Sequence, residues 1–152
     1  MGGKTYSLLG GAWRRGRVVA LDRWGVRLKT TDRIFGCLLI LGGMGHTAGT
    51  LIGYKDKPEL MLWSLSASLF IFLLGTINLV RAGRHGDRAL GWITLVFNLC
   101  QIVSVIQFGR LIQNMWDPRV IGFILICAVL VGMSVRTITA GGTEARRASQ
   151  RG

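Results

Sequence analysis

Apolar positions in this chain come in long unbroken runs, and polar positions are gathered between them. Four windows contain no Asp, Glu, Lys or Arg: Ile34–Tyr54, Leu60–Val80, Ala89–Gly109 and Val120–Val135. Three of them reach the roughly 20 residues an α-helix needs to cross a bilayer core of about 30 Å. The fourth extends to Thr139 if Arg136 lays its aliphatic stem along the apolar surface and its guanidinium at the edge. The pattern predicts an all-α integral membrane protein. Its four spans, about 34–54, 60–80, 89–109 and 120–139, form a transmembrane domain over 34–139. The connections are short, so successive spans run antiparallel in an up-down bundle.

The flanks read differently. Residues 1–33 form a basic N-terminal segment, Gly-rich over 1–11. Within 12–29, Trp13, Arg17, Leu21, Trp24 and Leu28 recur every three to four residues, which predicts an amphipathic helix anchored in the membrane interface. Residues 140–152 read as a flexible basic tail. Local punctuation agrees with the spans. Pro58 and Pro118 open spans, where a missing N–H costs nothing, and Asp117 is placed to cap the fourth. Gly83 and the pair Gly141-Gly142 read as span ends. Tyr54, Trp63, Trp92 and Trp116 fall near interfaces, where amphipathic rings are favoured.

Charge adds an orientation. The chain of 152 residues has 19 Lys+Arg against 7 Asp+Glu, a net charge of +12. Four spans place the N-terminus, the second loop and the C-terminus on one side. That side carries fifteen of the basic residues, and the other carries Lys55, Lys57, Arg110 and Arg119. The positive-inside rule makes the richer side cytoplasmic, which predicts a bacterial inner membrane protein with both termini in the cytoplasm. The basic residues flank apolar runs without an aromatic-basic RNA motif, so nucleic acid is not an expected partner. Cys37, Cys100 and Cys127 sit inside windows with no CxxC spacing, which argues against a disulfide framework, metal site or redox motif. The first apolar run is too long for a cleaved leader.

Two features invite a functional reading. Gly42, Gly45, Gly49 and Gly53 lie along the first span in a small-xxx-small pattern, which lets helices approach closely. That face either packs within the monomer or joins the chain to other membrane subunits or a second copy. His46 falls near mid-membrane on the same span. Ser68, Asn98 and Gln101 come to similar depth on the second and third, so a buried polar cluster of His46, Ser68, Asn98 and Gln101 is expected. It reads first as interhelical hydrogen bonding that fixes register, second as a path for a small solute or proton, third as cofactor ligation by His46 to haem or a chlorophyll-type pigment. His85, in the basic second loop, is too distant for a bis-histidine site. There is no GxSxG, HExxH, acidic pair or Walker loop. The expected protein is a non-enzymatic membrane subunit or interaction scaffold. A small-solute transporter or channel is the alternative, and a haem- or pigment-binding subunit is a further one. In span count and length the chain resembles small bacterial four-span inner-membrane proteins, DoxX-like ones among them. That likeness rests on no motif and carries no residue roles.

Overall fold

In the computed structural model every described element is helical: α1 (Tyr6–Gly53), α2 (Pro58–Gly83), α3 (Arg88–Leu111) and α4 (Pro118–Ser149). The structure describes the backbone of residues 6–84 and 86–150, and the side chains of 27–84, 86–143 and 150. Four segments are long and apolar enough to cross a membrane: Arg27–Gly53, Pro58–Gly83, Arg88–Leu111 and Pro118–Thr143. Each is longer than its charge-free window, because charged residues at the ends remain helical. The chain divides into two units, residues 1–31 and 32–152. In the first, the helical backbone begins at Tyr6, earlier than the periodicity over 12–29 predicts. Trp13, Arg17, Leu21 and Trp24 lie outside the described side chains, and Leu28 is half-buried.

The second unit is the bundle. Its apolar core is Leu39, Ile71, Leu74, Cys127 and Leu130, from α1, α2 and α4, with Ile102 of α3 packed against it. Outside that core the helices present Leu, Ile, Val, Phe and Trp outward, among them Leu41, Leu62, Trp63, Leu69, Val103 and Leu125. A soluble bundle shows a polar outer face. An apolar exterior around a core threaded with polar groups suits helices solvated by lipid.

Glycines set the closest approaches. A Cβ built on Gly75 of α2 stands 2.6 Å from Ile40 Cγ1 and 3.3 Å from the Gly36 carbonyl oxygen, so α1 and α2 meet nearly backbone to backbone. On Gly91 of α3 it stands 2.7 Å from Ile138 Cγ1 and 3.4 Å from the Ser134 carbonyl oxygen, which brings α3 equally close to α4. A ring contact joins Phe70 of α2 to Phe97 of α3, edge to face with centroids 6.0 Å apart.

The helix starts follow local chemistry. Pro58 opens α2, and the Asp87 side chain caps α3 by accepting from the Leu90 backbone N–H at 3.1 Å. Asp117 accepts from the Arg119 backbone N–H at 2.8 Å and pairs with the Arg119 guanidinium. Those bonds hold its carboxyl down at about 2, below the ordinary carboxylate range. The interaction is therefore complete above the ordinary carboxylate pKa of about 3.9 and is lost as pH falls through about 2. The Arg119 backbone amide shift, followed by NMR on acidification, should show its midpoint near pH 2. A midpoint at the ordinary carboxylate value would remove the cap.

One expected stop is corrected. Gly141 and Gly142 do not end the fourth helix, which runs on to Ser149. A Cβ on Gly141 would collide with the Gly86 carbonyl oxygen in the α2–α3 connection. Glycine stands there so the connection can lie against α4, not to release the chain in a left-handed turn. The left-handed glycine is Gly86 itself, at φ 74°.

Candidate functional site

Polar side chains inside the bundle fall into two groups. The first lies where α2 ends and α3 begins, called here the basic end. Arg81 is the third residue from the end of α2, and its side chain is fully enclosed. It donates through Nη2 to Asp32 Oδ1 of α1, and through Nη1 to the Ser134 hydroxyl and, at 3.1 Å, to the Leu130 carbonyl of α4. Ser134 touches the Thr94 hydroxyl of α3 at 2.9 Å. One guanidinium thus joins three helices directly and the fourth through a hydroxyl. Its fork of donors suits this role, which a lysine's compact ammonium would not fill in the same way. Arg81 Nε is the buried polar side-chain atom left without a partner among the described residues.

Asn78 lies one turn before Arg81 on α2 and pairs with Asn98 of α3. Each Nδ2 donates to the other's Oδ1, at 3.2 and 3.4 Å. Each Nδ2 also donates to the carbonyl four residues back, Leu74 at 2.9 Å and Thr94 at 2.7 Å. Both amides are thereby satisfied, as fully buried amides in native interiors are.

The second group lies toward the far end, where α1 ends and α2 begins. Thr50 Oγ1 donates to the His46 carbonyl at 2.8 Å and lies 2.6 Å from Ser64 Oγ. Ser64 Oγ lies 3.4 Å from His46 Nε2. With the Thr50 proton on a carbonyl, Ser64 donates to Thr50 and accepts from His46. This ordering assigns the Nε2–H tautomer to the neutral ring. Ser68 donates to the Ser64 carbonyl at 3.3 Å.

The four residues expected as one cluster are therefore divided. His46 takes Ser64 as its partner and Asn98 takes Asn78, while Ser68 bonds within its own helix. Gln101 is buried one turn beyond Asn98 on α3. Along α2, core residues Ile71 and Leu74 lie between Ser68 and Asn78. Ser64 and Asn78 belong to a small-polar stripe legible along the second span, but outside the expected cluster; the residues that sequence reasoning missed are Asp32, Thr50, Arg81, Thr94 and Ser134. Asp32 and Arg81 were counted with the charged flanks because they lie just outside the charge-free windows. Thr50, Thr94 and Ser134 are inside those windows, and only the three-dimensional register shows their partners. A usable signal did exist: Asn78 and Arg81, three apart, share a helix face.

Among the described residues no cluster of three His, Cys, Asp or Glu side chains is placed to hold a metal ion. His46 turns Nε2 into the α1–α2 seam, so ligation of a macrocycle through that atom would first break its contact with Ser64. His85 lies outside the described residues.

The predicted glycine face also divides. A Cβ on Gly42 would strike the Phe123 ring of α4, at 2.7 Å from Cζ, so this glycine packs within the bundle. Gly45, Gly49 and Gly53 meet nothing within 4 Å. Comparison with known proteins returns no match to a protein-family model, a curated protein or a solved structure.

Proposed function

We propose that this chain is a non-enzymatic, multi-pass subunit of a bacterial inner membrane. Both termini lie in the cytoplasm, and α1 receives a transmembrane helix of another subunit or of a second copy. The charge asymmetry across the four spans supports the orientation. The observation that supports the role is the contrast along α1. Gly36, Gly42 and Gly43 are filled by side chains of the bundle, whereas Gly45, Gly49 and Gly53 stand open and in register. Lipid gives helices no hydrophobic drive to associate, so close backbone approach over small residues is the usual source of contact. Leu41 and Ile52 flank the open glycines at 58% and 77% exposure and supply ridges for a partner's groove. The partner surface is uncharged, because Ile34–Tyr54 contains no Asp, Glu, Lys or Arg to pair with. The basic residues of 1–33 support a second contact, with anionic lipid headgroups.

The test is cross-linking in native membranes. A Gly49→Cys variant, in a background with the other three cysteines replaced, should give an oxidised adduct of higher mass. Gly49→Leu should abolish co-purification of that species in mild detergent while leaving the monomer folded. A monodisperse monomer with no adduct and no accompanying protein would overturn the reading.

A further inference from the structure

Arg81 ties the four helices together at one level of the basic end. Its partners are Asp32 on α1 and Leu130 and Ser134 on α4, and Ser134 touches Thr94 on α3. Each helix carries, within it or at its cap, a further arginine close to that level. Arg33 follows Asp32 by one residue, Arg84 follows Arg81 by three, Arg136 follows Ser134 by two, and Arg88 precedes Thr94 by six. At 1.5 Å per residue the four fall within a layer about 10 Å deep. That matches a headgroup region of roughly 5–7 Å with the reach of an arginine stem added.

All four are exposed. None is paired with a carboxylate among the described residues. The acidic side chains described at this end are committed, Asp32 to Arg81 and Asp87 to the backbone N–H of Leu90. Arg88 is also held in place. A Cβ on Gly141 would stand 2.6 Å from Arg88 Cγ, so the stem of Arg88 lies against α4 where glycine leaves room, and the residue stays exposed.

Orientation in the membrane accounts for positive charge at this end but not for its chemistry, because lysine and arginine count alike toward it. From residue 32 onward every described cation at the basic end is an arginine, whereas the far end has Lys55, Lys57, Arg110 and Arg119 among Asp56, Glu59 and Asp117. Arginine differs from lysine in its planar fork, which grips a phosphate through two parallel N–H bonds. Lipid around the apolar exterior supplies phosphate at this depth.

We propose that Arg33, Arg84, Arg88 and Arg136 form a ring that binds the phosphates of anionic phospholipids and selects them over zwitterionic ones. A zwitterionic headgroup brings its own cation and leaves the four charges without net compensation, whereas an anionic headgroup neutralises them. The ring extends to the bundle the lipid contact proposed for residues 1–33. It depends neither on which side is cytoplasmic nor on a partner for α1.

The test is native mass spectrometry of the full-length protein in mild detergent, with lipid adducts counted during titration with phosphatidylglycerol or phosphatidylcholine of equal chain length. Phosphatidylglycerol should bind at concentrations about tenfold lower or less. Arg84→Gln, Arg88→Gln and Arg136→Gln together should remove most of that preference, since each basic residue near an anionic surface contributes roughly fivefold. Lys55→Gln, Lys57→Gln and Arg110→Gln remove the same charge from the far end and should leave it intact. Changing the three arginines to lysine should weaken it several-fold at constant charge. Equal losses from the two glutamine sets would overturn the ring in favour of bulk charge. No loss from either would assign the lipid to residues 1–33, present in every variant, and overturn the ring while that contact stands. A lysine set that matches the unaltered protein would overturn recognition by the arginine fork. Glycerol 3-phosphate in excess should leave the lipid bound; displacement would make a soluble phosphate ester the ligand and overturn the lipid assignment.

Discussion

Asp32→Asn is expected to be the most damaging isosteric change in the bundle, lowering stability by about 3–5 kcal/mol, the usual cost of leaving a buried charge without its partner. The asparagine keeps the size of the aspartate and removes only its charge. Arg81 cannot respond by losing its proton, and its side chain is fully enclosed, so it has no route to solvent where it stands. The guanidinium must stay ionised in apolar surroundings or pull the end of α2 away from α1 and α4. Either outcome should appear as a lower midpoint in denaturant unfolding of the detergent-solubilised protein. Replacing both partners, Asp32→Asn with Arg81→Met, should recover most of the loss, because a buried pair contributes little net stability over an apolar substitute. If Asp32→Asn proved no worse than Asp117→Asn at the exposed rim, the pair would not be the buried link described here. If the double replacement were worse than the single, the link to Ser134 and Leu130, not charge balance, would be its main contribution.

The pair also marks how far the sequence could be read. Four helices and the prolines that open α2 and α4 were legible, because lipid imposes a length and a composition on each span and backbone chemistry fixes their starts. Asp32 and Arg81 were not, because a window that stops at the first charge assigns every charged residue to water. At 1.5 Å per residue, α2 is about 39 Å long against an apolar thickness of about 30 Å. Arg81 lies about 3 Å from its end, at the margin where an ion pair can be enclosed by protein without reaching mid-bilayer. For His46, Ser68, Asn98 and Gln101, depth was readable from position, but pairing was not. Depth depends on residue number alone. Partner choice depends on which faces meet, and Gly75 and Gly91 decide that by bringing α2 onto α1 and α3 onto α4. Those two glycines lie outside the four-residue glycine spacing that drew attention to α1, so the pattern pointed to the open face and passed over the packed ones.

That difference between glycines predicts the second large effect. Gly91→Leu should destabilise the bundle by well over the 1–3 kcal/mol typical of overpacking, because the obstruction is not only a flexible side chain. The Cβ would stand 3.3 Å from the Ile138 backbone nitrogen and 3.4 Å from the Ser134 carbonyl oxygen, and the rest of the leucine has to displace α4. Moving α4 opens the Thr94–Ser134 contact and takes Ser134 and the Leu130 carbonyl away from Arg81, so local crowding is passed to the buried ion pair. Gly49→Leu adds the same side chain to the same kind of helix, but its Cβ would meet nothing within 4 Å. It should leave the unfolding midpoint of the monomer unchanged, or raise it slightly, since glycine inside a helix costs about 1 kcal/mol relative to better helix formers. The two variants should therefore separate along different axes: Gly91→Leu in unfolding of the isolated monomer, Gly49→Leu only in what the protein associates with. Equal losses of monomer stability would mean that α1 carries its glycine face inward, against the bundle, and that the face is a packing surface of the fold and not one turned toward a partner.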